Sequence, residues 1–104
     1  LEPRIFVPGE RIFNVDEPGD ALYFIQSGEV DIRGRTGASI ATLGDGAFFG
    51  EMALLTDMPR SATAVATEFC DAYLLHKESF DLVIKAYPAF KTHLEQVVQE
   101  RKVS

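Results

Sequence analysis

Residues 49–64 read FGEMALLTDMPRSATA and hold the strongest candidates for binding chemistry in the chain. Arg60 is the only lysine or arginine between Arg35 and Lys77, while Asp45, Glu51, Asp57, Glu68 and Asp71 supply five acids. A guanidinium is a planar fork that can bind two oxygens of one phosphate. Gly50 allows backbone angles and close approaches denied to other residues. The run Glu51 to Leu55 consists of good helix formers and predicts one or two helical turns. Such a helix presents free amide N–H groups at its start, which favour an anion. The small residues Ala53, Ser61, Ala62 and Ala64 let a ligand approach the backbone.

Glu51 would repel a phosphate, so it must face another group. An ionised carboxylate only accepts hydrogen bonds, and a ribose hydroxyl is a natural donor. Together these residues describe a compact sugar-phosphate pocket. Taken singly they also fit plainer roles. Glu51 and Arg60 suit a structural ion pair on a barrel rim, Gly50 a turn, and the small residues close sheet packing.

These residues must be held by the elements around them. Arg4 to Val7 predicts a short strand stopped by Pro8-Gly9, and Ile12-Phe13 a second apolar piece. Glu17-Pro18-Gly19-Asp20 is a turn signal. Strands are expected over Ala21 to Gln26, around Val30 and Ile32, over Ile40 to Leu43, Ala62 to Thr67 and Ala72 to His76. Short strands at this turn spacing predict a sandwich or jelly-roll barrel. The period then changes. Phe80, Val83, Ile84 and Tyr87 share one helix face, and Phe90, Leu94, Val97, Val98 and Arg101 share another, with Pro88 between them. The expected fold is mainly β, a jelly-roll barrel followed by two amphipathic helices. One domain is expected, a barrel over 1–77 and helices over 78–104.

The formal net charge of −6 in 104 residues speaks against nucleic-acid binding by this chain, because phosphates are held by basic surfaces. One small anion caught at one cation remains compatible with it. Cys70 is alone, so no intramolecular disulfide forms, which points to a reducing compartment. No apolar run has membrane-spanning length. His76 and His93 lie on different elements, and no metal-ligand spacing occurs. Ser27, Ser61 and Ser79 lack a histidine and carboxylate to form a triad, and the glycines of 44–50 lack a P-loop lysine. The chain is therefore expected not to be an enzyme. A metal-dependent small barrel would need clustered histidines that the sequence does not supply.

The stretches Phe49 to Leu55 and Pro59 to Ala64 together resemble the phosphate-binding cassette of the cyclic nucleotide-binding domain family. That family is shared by bacterial catabolite-type regulators, kinase regulatory subunits and cyclic-nucleotide-gated channels. Pro8-Gly9-Glu10, Glu17 to Asp20, Tyr23-Phe24-Ile25 and Gly28 also match its pattern, so the resemblance spans nearly the whole chain. It implies that Arg60 binds the exocyclic phosphate oxygens with the backbone N–H groups of Ala53 and Ser61. It implies that Glu51 and the Gly50 N–H take the ribose 2′-hydroxyl. Ile32, Ala41 and Val65 would line the base pocket, and Arg101 on the last helix would stack on the purine as a lid closes. The implied ligand is cAMP or cGMP, with no other cofactor. A hydroxyl at Ser61 can help a guanine 2-amino group, and serine also suits cAMP.

The resemblance further implies a regulatory module that moves its C-terminal helix on binding and controls an attached ion channel or transporter. The location would be cytoplasmic, tethered to the inner face of a membrane by the rest of a longer parent chain, without direct membrane insertion. The family's N-terminal helix and a helix-turn-helix after residue 104 are both missing from this sequence, which is expected to be a fragment. The alternatives are the sensor of a transcription regulator and a decayed member used for protein interaction.

Overall fold

The structure, a computed structural model, describes residues 1–103, with side chains as far as residue 100. The strands are β1 (Glu2–Phe6), β2 (Arg11–Phe13), β3 (Ala21–Ser27), β4 (Val30–Arg33), β5 (Ser39–Leu43), β6 (Phe48–Phe49), β7 (Thr63–Ala66) and β8 (Cys70–His76). The helices are α1 (Glu51–Thr56), between β6 and β7, then α2 (Lys77–Ala86) and α3 (Pro88–Val103). The strands form two four-stranded antiparallel sheets, ordered β1-β8-β3-β6 and β2-β7-β4-β5. This is the jelly-roll sandwich with C-terminal helices that the turn spacing predicts. The short strand β6 was not expected. It pairs Phe49 with Tyr23 and so brings the start of α1 against β3.

Strand β3 is apolar along most of its length because both of its faces are covered. Ala21, Tyr23 and Ile25 face the inter-sheet core with Phe6, Phe13 and Phe49. Leu22 faces the other way and joins Leu54 of α1, Phe80 of α2 and Leu94 of α3 in a second core. That second core binds the short cassette helix and both C-terminal helices to one strand.

The helix pattern holds for Phe80, Leu94 and Val98, all buried. Tyr87 departs from it and is 67% exposed. It precedes Pro88, and the proline ring drives the residue before it out of helical angles. Its φ and ψ of −132° and 77° make it the C-cap of α2 and turn its side chain off the shared face.

Candidate functional site

A cavity of about 460 Å³ opens between β4, β5, α1 and the segment that enters β7. Gly50, Glu51, Met52 and Ala53 line one wall, and Arg60, Ser61 and Ala62 line another. Ile32, Ala41 and Leu43 form the opposite side, with Phe13 and Phe49 beneath. Residues distant in sequence thus converge on one cavity.

Gly50 explains how the chain turns from β6 into α1. Its φ is +85°, a left-handed angle that costs glycine little. A side chain there would also place its Cβ 2.8 Å from Arg60 Nη1 and 3.3 Å from the Ala21 carbonyl oxygen. Glu51 begins α1 and is buried. Helix α1 has only six residues, too few to hold a helix alone, so tertiary contacts must hold it. Leu54 anchors it in the second core, and Ala53 lies against Gly19.

Arg60 is 3% exposed, which is rare for a cation without partners. Its backbone is fixed by Arg60 N–H donating to Glu17 O and Arg60 O accepting from Asp16 N–H, both at 2.8 Å. Its Nη1 donates to Gly50 O at 2.5 Å and its Nη2 to Ala21 O at 2.7 Å. The Asp20 carboxylate lies 3.6 Å from Nη2, and the guanidinium carbon sits 4.0 Å from the Phe13 ring centroid, within cation–π range. Burial pushes the Arg60 pKa down, opposed by Tyr23, Asp20 and Glu51. An arginine stays charged under such a shift. The Arg60 Nε is buried and has no hydrogen-bond partner among the described residues.

The sequence reading gave the guanidinium fork to two oxygens of a phosphate. The structure spends one N–H of each terminal nitrogen on a backbone carbonyl instead, because a buried cation must find acceptors. Of the three guanidinium nitrogens, Nε is left without a hydrogen-bond partner among the described residues.

Ile32 and Ala41 face each other as cross-strand partners on β4 and β5, and both line the cavity. Val65 is not among the lining residues. It follows Ala64, which pairs with Ile32, and strand alternation turns the next side chain to the other face of β7. Arg101 lies outside the described side chains. Sequence reasoning missed Phe13, Leu43 and the Ala21 carbonyl. Leu43 was recoverable, since it stands two residues from Ala41 on the same strand. Phe13 carried no local signal, because only the β2–β7 pairing brings it under Arg60.

Among the described residues no group of three or more His, Cys, Asp or Glu is placed to hold a metal ion. No described helix is long and apolar enough to cross a membrane.

The family model for the cyclic nucleotide-binding domain matches residues 3–87. Human potassium/sodium hyperpolarization-activated cyclic nucleotide-gated channel 3 is 34% identical over 97% of this chain, which spans 13% of that protein. The crystal structure of Thermus thermophilus catabolite activator protein superimposes with a TM-score of 0.82 and 33% identity, over 98% of this chain and 51% of that one. The structure of cAMP-bound PfPKA-R superimposes with a TM-score of 0.83 and 29% identity, over 97% of this chain and 34% of that one. The family model covers most of the chain, a channel and a catabolite activator share a third of its residues over nearly its whole length, and the chain belongs to the cyclic nucleotide-binding domain family.

Proposed function

We propose that this domain binds a 3′,5′-cyclic nucleotide, cAMP or cGMP, and passes the binding event to its C-terminal helices. The observation that carries this reading is Arg60, a buried cation on the cavity wall whose Nε is unpartnered among the described residues. A phosphate meeting its side edge would satisfy that donor and neutralise the charge in one step. The Ala53 and Ser61 N–H groups complete the phosphate site, and Glu51 with the Gly50 N–H takes the ribose 2′-hydroxyl. Ile32, Ala41 and Leu43 offer an apolar wall to the base. No bond is made or broken, and the domain acts as a regulatory module rather than an enzyme.

The second core supports the output step. Leu54 of α1 packs in the same cluster as Phe80 and Leu94, so a shift of the cassette helix is felt by α2 and α3. A ligand moves such an equilibrium only by its differential affinity for the two arrangements. The likeness to a cyclic nucleotide-gated channel supports an attached channel or transporter as the effector, at the inner face of a membrane.

Calorimetric titration of the chain with cAMP, cGMP and 5′-AMP tests this reading. Cyclic nucleotides are expected to bind more tightly than 5′-AMP and to raise the melting temperature. No heat and no thermal stabilisation at millimolar cAMP or cGMP would sink it. Glu51→Gln, which keeps the shape and removes the charge, is expected to weaken binding about tenfold by exchanging a charge-assisted hydrogen bond for a neutral one. A 2′-deoxy cyclic nucleotide should show no such loss in the variant.

A further inference from the structure

The C-terminal end of α1 is built from a residue that is locally ill-suited to it. Asp57 is the C-cap, in the left-handed conformation with a φ of +56°. Glycine or asparagine is the ordinary occupant there. A carboxylate also faces the negative end of the helix dipole. The fold answers with Lys77, the first residue of α2, whose Nζ lies 2.7 Å from Asp57 Oδ1 and 3.6 Å from Asp81 Oδ2. The Lys77 ammonium beside it holds the Asp57 carboxyl below its usual range, with a smaller pull from Lys91.

Lys77 makes a second tie through its backbone. Its N–H donates to Asp20 O at 2.9 Å. Asp20 precedes Ala21, whose carbonyl accepts from Arg60, and its own carboxylate lies beside the same guanidinium. One residue therefore grips both halves of the cavity wall. Its side chain holds the far end of the helix that carries Glu51, and its main chain holds the segment that fixes Arg60.

We propose that Lys77 is a positioning residue for the nucleotide cavity, clamping α1 through Asp57 and the Arg60 support through Asp20. This rests on the reading of the cavity as a cyclic-nucleotide site. The clamp acts by reducing what the ligand must order. A six-residue helix left loose at one end would have to be fixed when Gly50 and Glu51 engage the sugar.

Charge changes at the two residues separate positioning from simple attraction of an anion. A long-range field predicts weaker binding for Lys77→Ala and tighter binding for Asp57→Asn. Positioning predicts weaker binding for both, since each removes the same ion pair, whose loss outweighs the better fit of asparagine at the C-cap. Asparagine tolerates the left-handed angle, so that substitution adds no backbone strain.

The test is calorimetry with cAMP and cGMP on the 104-residue chain, its two single variants and the double variant, in low salt. Each single change is expected to weaken binding about threefold, in keeping with an exposed pair, and the double variant no further. Lys77→Arg should bind like the parent, and about 1 M salt should erase the differences by screening the pair. Tighter binding by Asp57→Asn, additive losses, or parent-like affinity in Lys77→Ala would each overturn the proposal. Amide exchange provides a ligand-free readout. Lys77→Ala should speed exchange in the last turn of α1 while leaving β3 and β8 protected, and unchanged exchange there overturns the clamp. A parent chain that binds neither nucleotide would refute the cavity's assignment instead, and the exchange result would still decide the clamp.

Discussion

Arg60→Ala is expected to weaken cAMP and cGMP binding by about ten- to a hundredfold, the worth of a hydrogen bond to a charged group in a protected site. The same change should cost the ligand-free domain about 1–3 kcal/mol, because the Gly50 and Ala21 carbonyls lose their donors. Part of that cost is offset, since a buried cation and an unpartnered Nε disappear together. Arg60→Lys separates the two roles. One ammonium keeps the charge but cannot span both carbonyls and still offer a side edge to phosphate. Its affinity should therefore fall close to that of the alanine variant. Calorimetry well below each variant's melting temperature, alongside urea unfolding, distinguishes lost contacts from lost folding. Parent-like affinity in Arg60→Ala would remove Arg60 from the phosphate site altogether.

Gly19→Ala is expected to damage both stability and binding through a single contact. A Cβ on Gly19 would overlap the Ala53 Cβ, far inside any real separation, so α1 must move. Overpacking of this kind costs about 1–3 kcal/mol. The displaced helix would carry Gly50 and Glu51 away from the cavity geometry, so affinity should fall as well. The companion change gives a clean check. With Ala53→Gly in the same chain, the nearest remaining atom is the residue 53 Cα at 3.4 Å, an ordinary contact. Glycine inside α1 costs about 1 kcal/mol by itself. The double variant should nevertheless be more stable than Gly19→Ala alone, a non-additivity that urea unfolding of all four chains would measure. Strictly additive losses would show that Gly19 and Ala53 do not meet as described.

The two predictions concern residues of very different legibility. Arg60 stood out because its charge contrasts with its neighbours and because Gly50 and Glu51 flank it at a fixed spacing. Gly19 read as part of a turn and of the family pattern, with nothing to mark it as a helix seat. Its role as the seat for α1 depends on a contact with Ala53 across a large stretch of chain, which local chemistry does not encode. Ile32 and Ala41 come to one cavity wall because they pair directly between β4 and β5. Val65 fell on the wrong face because strand alternation counts from a register that only the β4–β7 pairing sets.

The sequence by itself determined the class of the fold and the identity of the binding cassette. Turn residues and apolar periods are local properties, and so is the spacing of Gly50, Glu51 and Arg60. Only the tertiary structure decided what the arginine does with its donors. Burial over Phe13 obliges the terminal nitrogens to take the Gly50 and Ala21 carbonyls and leaves Nε without a partner among the described residues. It also decided that Lys77, an unremarked residue at the start of a helix, grips Asp57 and Asp20 at once. Charge and spacing along a chain can nominate a phosphate anchor. Which of its hydrogen bonds remain free is fixed by what it is packed against, and that is settled only when distant segments meet.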